Sequence, residues 1–76
     1  MDGLRKKIGS NMSEISYGSM RIMYSYETPV AGYHLDKGWF RTENYYSVTT
    51  SKHINKYLGG KNIGVKVSQE WIRSLI

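Results

Sequence analysis

Apolar and polar positions alternate with a period of two over residues 20–26, where Ile22, Tyr24 and Tyr26 interleave with Met23 and Ser25. Successive strand side chains point to opposite faces, so this alternation of β-branched and aromatic residues predicts a strand. Glu27-Thr28-Pro29 interrupts it with the chain's single proline, which fixes φ and lacks an N–H. Residues 30–35 predict a second strand and residues 39–45 a third. Between them Asp36-Lys37-Gly38 is a short turn, with Gly38 available for a left-handed position. Leu35 and Trp39 flank that turn, so the two strands should pair as an antiparallel hairpin.

The period then changes. Ser47-Val48-Thr49-Thr50-Ser51 offers hydroxyls that can accept from the free N–H groups at a helix start. A helix is predicted over residues 51–58, with Ile54, Tyr57 and Leu58 inward and Lys52, His53 and Lys56 outward. Gly59-Gly60 ends it, because glycine readily takes the left-handed conformation past a helix. Residues 61–67 alternate again through Ile63, Val65 and Val67, predicting a short strand. Ser68 is a good N-cap for a closing helix over residues 69–76, whose apolar stripe is Trp71, Ile72, Leu75 and Ile76. Val67 before the cap and Ile72 after it fit a hydrophobic staple.

The order β-β-β-α-β-α predicts an α+β fold, a small antiparallel sheet of three to four strands with two short helices on one face. Residues 1–18 are rich in Gly, Ser and Asn with few periodic apolar positions, so they are expected to form a poorly ordered or weakly helical arm. Residues 19–76 are then a single α+β domain.

Length constrains this fold. At 76 residues the chain is enough for one domain. A domain of that size buries only about 60% of the unfolded surface. Cysteine is absent, so neither disulfides nor thiolate metal sites can help. Ten large rings (two Trp, seven Tyr, one Phe) are the available packing mass. One small core absorbs these poorly, so a homodimer is expected. No apolar run resembles a signal peptide or a membrane span, and a cytoplasmic setting without membrane contact is expected.

The net charge is +5, and residues 47–76 carry most of it: Lys52, Lys56, Lys61, Lys66 and Arg73 against Glu70 alone. Such a surface attracts nucleic acid, nucleotides or an acidic protein, although a solvated face has the same composition.

The stretches Ser25-Tyr26-Glu27-Thr28-Pro29-Val30-Ala31, Arg41-Thr42 and Ser47 to Leu58 (SVTTSKHINKYL) together resemble a family of small uncharacterised phage-encoded proteins. There a SYxTPVA-like strand precedes an RT pair and an SVTTSxHINK-like helix start. The resemblance covers residues 24–58 and implies a phage or prophage origin, with the host cytoplasm as the working compartment. It implies no activity.

The candidate partner- or anion-binding residues are Thr49, Thr50, Ser51, Lys52, His53 and Lys56, with Arg41 and Trp39. A helix N-terminus exposes free N–H groups and a partial positive charge, which Thr49, Thr50 and Ser51 could extend with hydroxyls and Lys52, His53 and Lys56 with cationic or polar groups. Ordinary capping uses the same hydroxyls. By alternation Trp39 and Arg41 share one strand face and Phe40 and Thr42 the other, and Phe40 marks the core side. Trp39 beside Arg41 is then a hot-spot composition. Two histidines, no cysteine and scattered carboxylates assemble neither a metal set nor a nucleophilic triad, so no cofactor, no metal and no catalysis are expected. The leading expectation is a non-enzymatic protein that engages a host protein or complex to modulate or inhibit it, in host takeover or counter-defence. A direct nucleic-acid or nucleotide binder, including a signalling-nucleotide sponge, is the alternative, and a virion structural component the third.

Overall fold

Strands that follow one another in the chain also lie side by side in space. The computed structural model describes residues 5–76. In it, β1 (Lys6–Gly9), β2 (Met12–Tyr17), β3 (Met20–Ser25), β4 (Thr28–His34) and β5 (Gly38–Thr42) form an antiparallel meander. The helix α1 (Val48–Leu58) then carries the chain across to β6 (Val65–Val67), which pairs with β5 in parallel. A parallel neighbour needs such a crossover, since a hairpin reverses direction. The helix α2 (Gln69–Ser74) closes the fold.

The α+β class and the antiparallel hairpin of β4 with β5 match the sequence reading, the latter through Ala31 opposite Arg41 and Tyr33 opposite Trp39. Among the described residues the sheet has six strands, not three to four, and it is mixed rather than wholly antiparallel, because β6 lies parallel to β5. The additional two come from the segment expected to be an arm. Residues 6–17 form the β1–β2 hairpin, and β2 pairs along its length with β3. Residues 1–4 of that expected arm lie outside the described residues.

The helices also lie on opposite faces of the sheet, not on one. Four consecutive β3 residues, Ile22 to Ser25, are all buried. Met23 packs with Met12, Val30, Ala31 and Ile54 of α1. Ile22 and Tyr24 point the other way and pack with Ile15 and with Leu75 at the end of α2. A strand buried on both sides needs cover on both, and each helix supplies one layer. This explains why the β2 strand was not legible as alternation. Met12 serves the α1 side and Ile15 the α2 side, so its apolar residues are not spaced by two.

The α2 side is centred on Phe40, fully buried with Val67 and Ile72. Trp71 meets the Phe40 ring edge-on at 5.1 Å but is only partly buried, so of the residues expected to form the core of the closing helix Ile72 is the central one. Gly32 makes room for Phe40. A Cβ there would fall 2.9 Å from Phe40 Cζ and 2.0 Å from the Arg21 carbonyl oxygen. The expected staple forms, since Val67 and Ile72 flank the Ser68 cap and share one cluster.

Two boundaries differ in ways that matter for function. The third expected strand ends at Thr42, so Tyr45 lies in the loop before α1 rather than in the sheet. The helix expected from residue 51 starts at Val48 with Ser47 as its N-cap, whose hydroxyl accepts from Thr50 N at 3.1 Å.

Candidate functional site

The early start of α1 changes what its hydroxyls do. Ser47 caps the helix, leaving Thr49 exposed on the first turn and Thr50 buried. Thr50 Oγ1 lies 3.1 Å from Ser25 Oγ on β3, and Ser25 Oγ lies 2.8 Å from His53 Nδ1. His53 is thus turned toward the sheet and half-buried, where it had been expected to face out. The physical reason is Ser25. A buried polar group needs a partner, and Thr50 and His53, three apart on one helix face, both reach it. The ring of Tyr26, 5.8 Å from the His53 ring, flanks the network. Tyr26 holds a φ of 57°, a left-handed backbone uncommon outside glycine. Ser25 is only 2% exposed, so its hydroxyl acts as a polar strut between sheet and helix and offers no open face to a substrate.

Lys52 and Lys56 are exposed on the outer side of α1, one turn apart. Arg41 is not free. Its Nη1 donates to the Lys61 carbonyl at 2.6 Å, and its Nη2 donates to Asn55 Oδ1 at 2.7 Å and to the Gly60 carbonyl at 3.1 Å. Burial lowers the guanidinium pKa below its ordinary value, yet at neutral pH it keeps its charge. Arg41 therefore clamps the loop after α1 onto β5. Gly59, with a φ of 92°, lets the chain leave the helix into that loop.

Beside the clamp a cleft of about 360 Å³ opens between β5, β6, α1 and the loops on either side of the helix. Arg41, Lys61 and Lys66 line it, with Ser51 and Asn55 from α1 and Tyr45 from the preceding loop. Trp39 lies elsewhere on the same sheet face. As a residue it is 46% exposed. Tyr33 meets it edge-on with centroids 5.1 Å apart, and Tyr57 of α1 meets it at 6.0 Å. The candidate residues thus divide into an inward-facing pair (Thr50 buried, His53 half-buried), a solvent-facing helix surface (Thr49, Lys52, Lys56), a cleft (Ser51, Arg41) and an aromatic platform (Trp39).

Sequence reasoning missed Ser25 and Tyr57 as contributors, and it took Lys61 and Lys66 only as part of the basic excess of residues 47–76. Tyr33 faces Trp39 because the turn is Leu35-Asp36-Lys37, with Gly38 already paired to His34. A turn flanked by Leu35 and Trp39 would set Tyr33 opposite Arg41 instead. Lys66 needed the parallel β5–β6 register, which only the assembled sheet provides.

A family model described as "Family of unknown function (DUF8033)" matches residues 2–74. The chain belongs to that family. No curated protein and no solved structure matches it. The match takes in both helices and all six strands of this DUF8033 chain, and with them the cleft and the aromatic platform. Among the described residues no helix is long and apolar enough to cross a membrane.

Proposed function

We propose that this DUF8033 chain is a non-enzymatic binding protein that engages a protein partner through the α1 side of its sheet, with Trp39 as the anchor. One observation carries the reading: Trp39 is nearly half exposed although Tyr33 and Tyr57 hold it in place. A large ring that is already ordered loses little side-chain entropy on binding, and tryptophan is enriched among residues that dominate interface energies. Exposed Lys52 and Lys56 on the neighbouring helix add positive charge that would favour an acidic partner and speed its encounter. The likeness of residues 24–58 to phage-encoded proteins supports a host protein or complex as that partner, with modulation or inhibition as the outcome.

The test is affinity capture from host lysate with wild type, Trp39→Ala and Lys52→Glu/Lys56→Glu as baits, with and without nuclease. Thermal melts confirm that each bait is folded. The reading expects a nuclease-resistant protein retained by wild type and lost with Trp39→Ala. Retention that Trp39→Ala leaves intact, or that nuclease abolishes, overturns it.

A further inference from the structure

The cleft beside the Arg41 clamp carries an assignment separate from the Trp39 surface. Arg41 and Lys66 are register partners across the parallel β5–β6 ladder, so their side chains leave the sheet on the same side, toward α1. Lys61 is brought to the opposite rim because Arg41 holds its carbonyl at 2.6 Å. Ser51 and Asn55, four apart on α1, form the wall. Asn55 Oδ1 is occupied by Arg41, which leaves its amide N–H groups as donors. Three cations thus line a cleft in which, among the described residues, Glu43 is the only carboxylate. Among the described residues neither Lys61 nor Lys66 is ion-paired.

Size and one further side chain narrow the ligand. About 360 Å³ lies at the small end of ligand sites, which span roughly 300–1,000 Å³. Tyr45 lines the same cleft and is 71% exposed, so its ring is open to stacking. Lysine ammonium groups and a hydroxyl suit a phosphate, and a tyrosine face suits a base. We propose that this cleft binds a nucleotide, with the phosphate at Lys61, Lys66 and the Ser51 and Asn55 donors, and the base against Tyr45. A free nucleotide and a nucleotide unit of a single strand share this chemistry.

The experiment is calorimetric titration of the full chain with AMP, adenosine, inorganic phosphate and a short single-stranded oligonucleotide. AMP should bind more tightly than phosphate, and phosphate more tightly than adenosine. Lys61→Glu/Lys66→Glu should weaken AMP by about tenfold or more, the scale of a lost charge-assisted contact. Tyr45→Ala should weaken AMP and leave phosphate unchanged. Lys52→Glu/Lys56→Glu lies outside the cleft and should leave AMP binding in place, as should Trp39→Ala. If the glutamate pair does not fold, Lys61→Gln/Lys66→Gln serves with the same expectation. Affinity that rises with oligonucleotide length above that of AMP identifies a strand as the source, and equal affinity identifies the free nucleotide. No binding of AMP at millimolar concentration overturns the proposal. So does binding that the folded Lys61/Lys66 variants leave unchanged, or that Lys52→Glu/Lys56→Glu reduces equally.

Discussion

Tyr57 on α1 donates its hydroxyl proton to Glu14 on β2 across 2.5 Å, although 43 residues separate them in the chain. Glu14 also lies 3.5 Å from Arg21, so the carboxylate joins the helix to two strands. Burial first, and the Glu14 contact second, push the Tyr57 hydroxyl pKa well above its ordinary value. In the unfolded chain tyrosine ionises at about pH 10. A group whose folded pKa is raised contributes its stability in full below the unfolded pKa and loses it as pH rises toward the folded one. Urea unfolding should therefore show stability falling above about pH 10, with a shallower fall in Tyr57→Phe. At neutral pH the same variant should lose about 1–3 kcal/mol, because the partly buried carboxylate loses a donor.

Ile72→Ala should destabilise by roughly 2–5 kcal/mol, the range for emptying a buried aliphatic site. Trp71→Ala should cost less, because Trp71 is only partly buried and lies edge-on to Phe40. Equilibrium unfolding of the two variants ranks them directly. A larger loss for Trp71→Ala would contradict the packing described for α2.

Gly32→Ala introduces one methyl group where no space exists. The collision is with backbone, the Arg21 carbonyl oxygen at 2.0 Å, as well as with the Phe40 ring. Overfilling a packed site costs roughly 1–3 kcal/mol, and a fixed backbone neighbour places this one at the upper end. The melting temperature should drop, and amide protection should fall first across the β3–β4 ladder.

Ser25→Ala removes the oxygen that both Thr50 and His53 approach. The buried Thr50 hydroxyl and His53 Nδ1 then lack that partner, at a cost of about 1–3 kcal/mol. Ser25→Ala combined with Thr50→Val should cost less than the sum of the two single changes, since both act on one network. Additive losses would mean that the contact contributes little.

The elements most legible in the sequence were those with one clear period. The 20–26 alternation, the hairpin that follows it and the Ser68 cap all declare themselves locally, although the hairpin's turn is Leu35-Asp36-Lys37, one residue earlier than expected, and its second strand stops at Thr42. The β1–β2 hairpin did not, because Met12 and Ile15 serve opposite faces of a doubly covered sheet. The placement of Thr50 and His53 depended on Ser25, a residue twenty-five or more positions away. Trp39 was placed by parity alone, since Phe40 claims the closed side. Its framing by Tyr57 required knowing where α1 lands.

The neighbour-to-neighbour order of β1 to β5 also has a kinetic consequence. Each of those pairings closes only a short loop, whereas β6 must wait for the chain to traverse α1. Chains dominated by local pairings fold fast, and distant ones close later because more entropy is lost first. Amide protection in β2 to β4 should therefore precede docking of β6 and α2. Until that moment Phe40 has no lid on its α2 side, and the assembling chain exposes a wet aromatic where Val67 and Ile72 will come to rest. In a Trp39→Phe background, Trp71 fluorescence would time that last event.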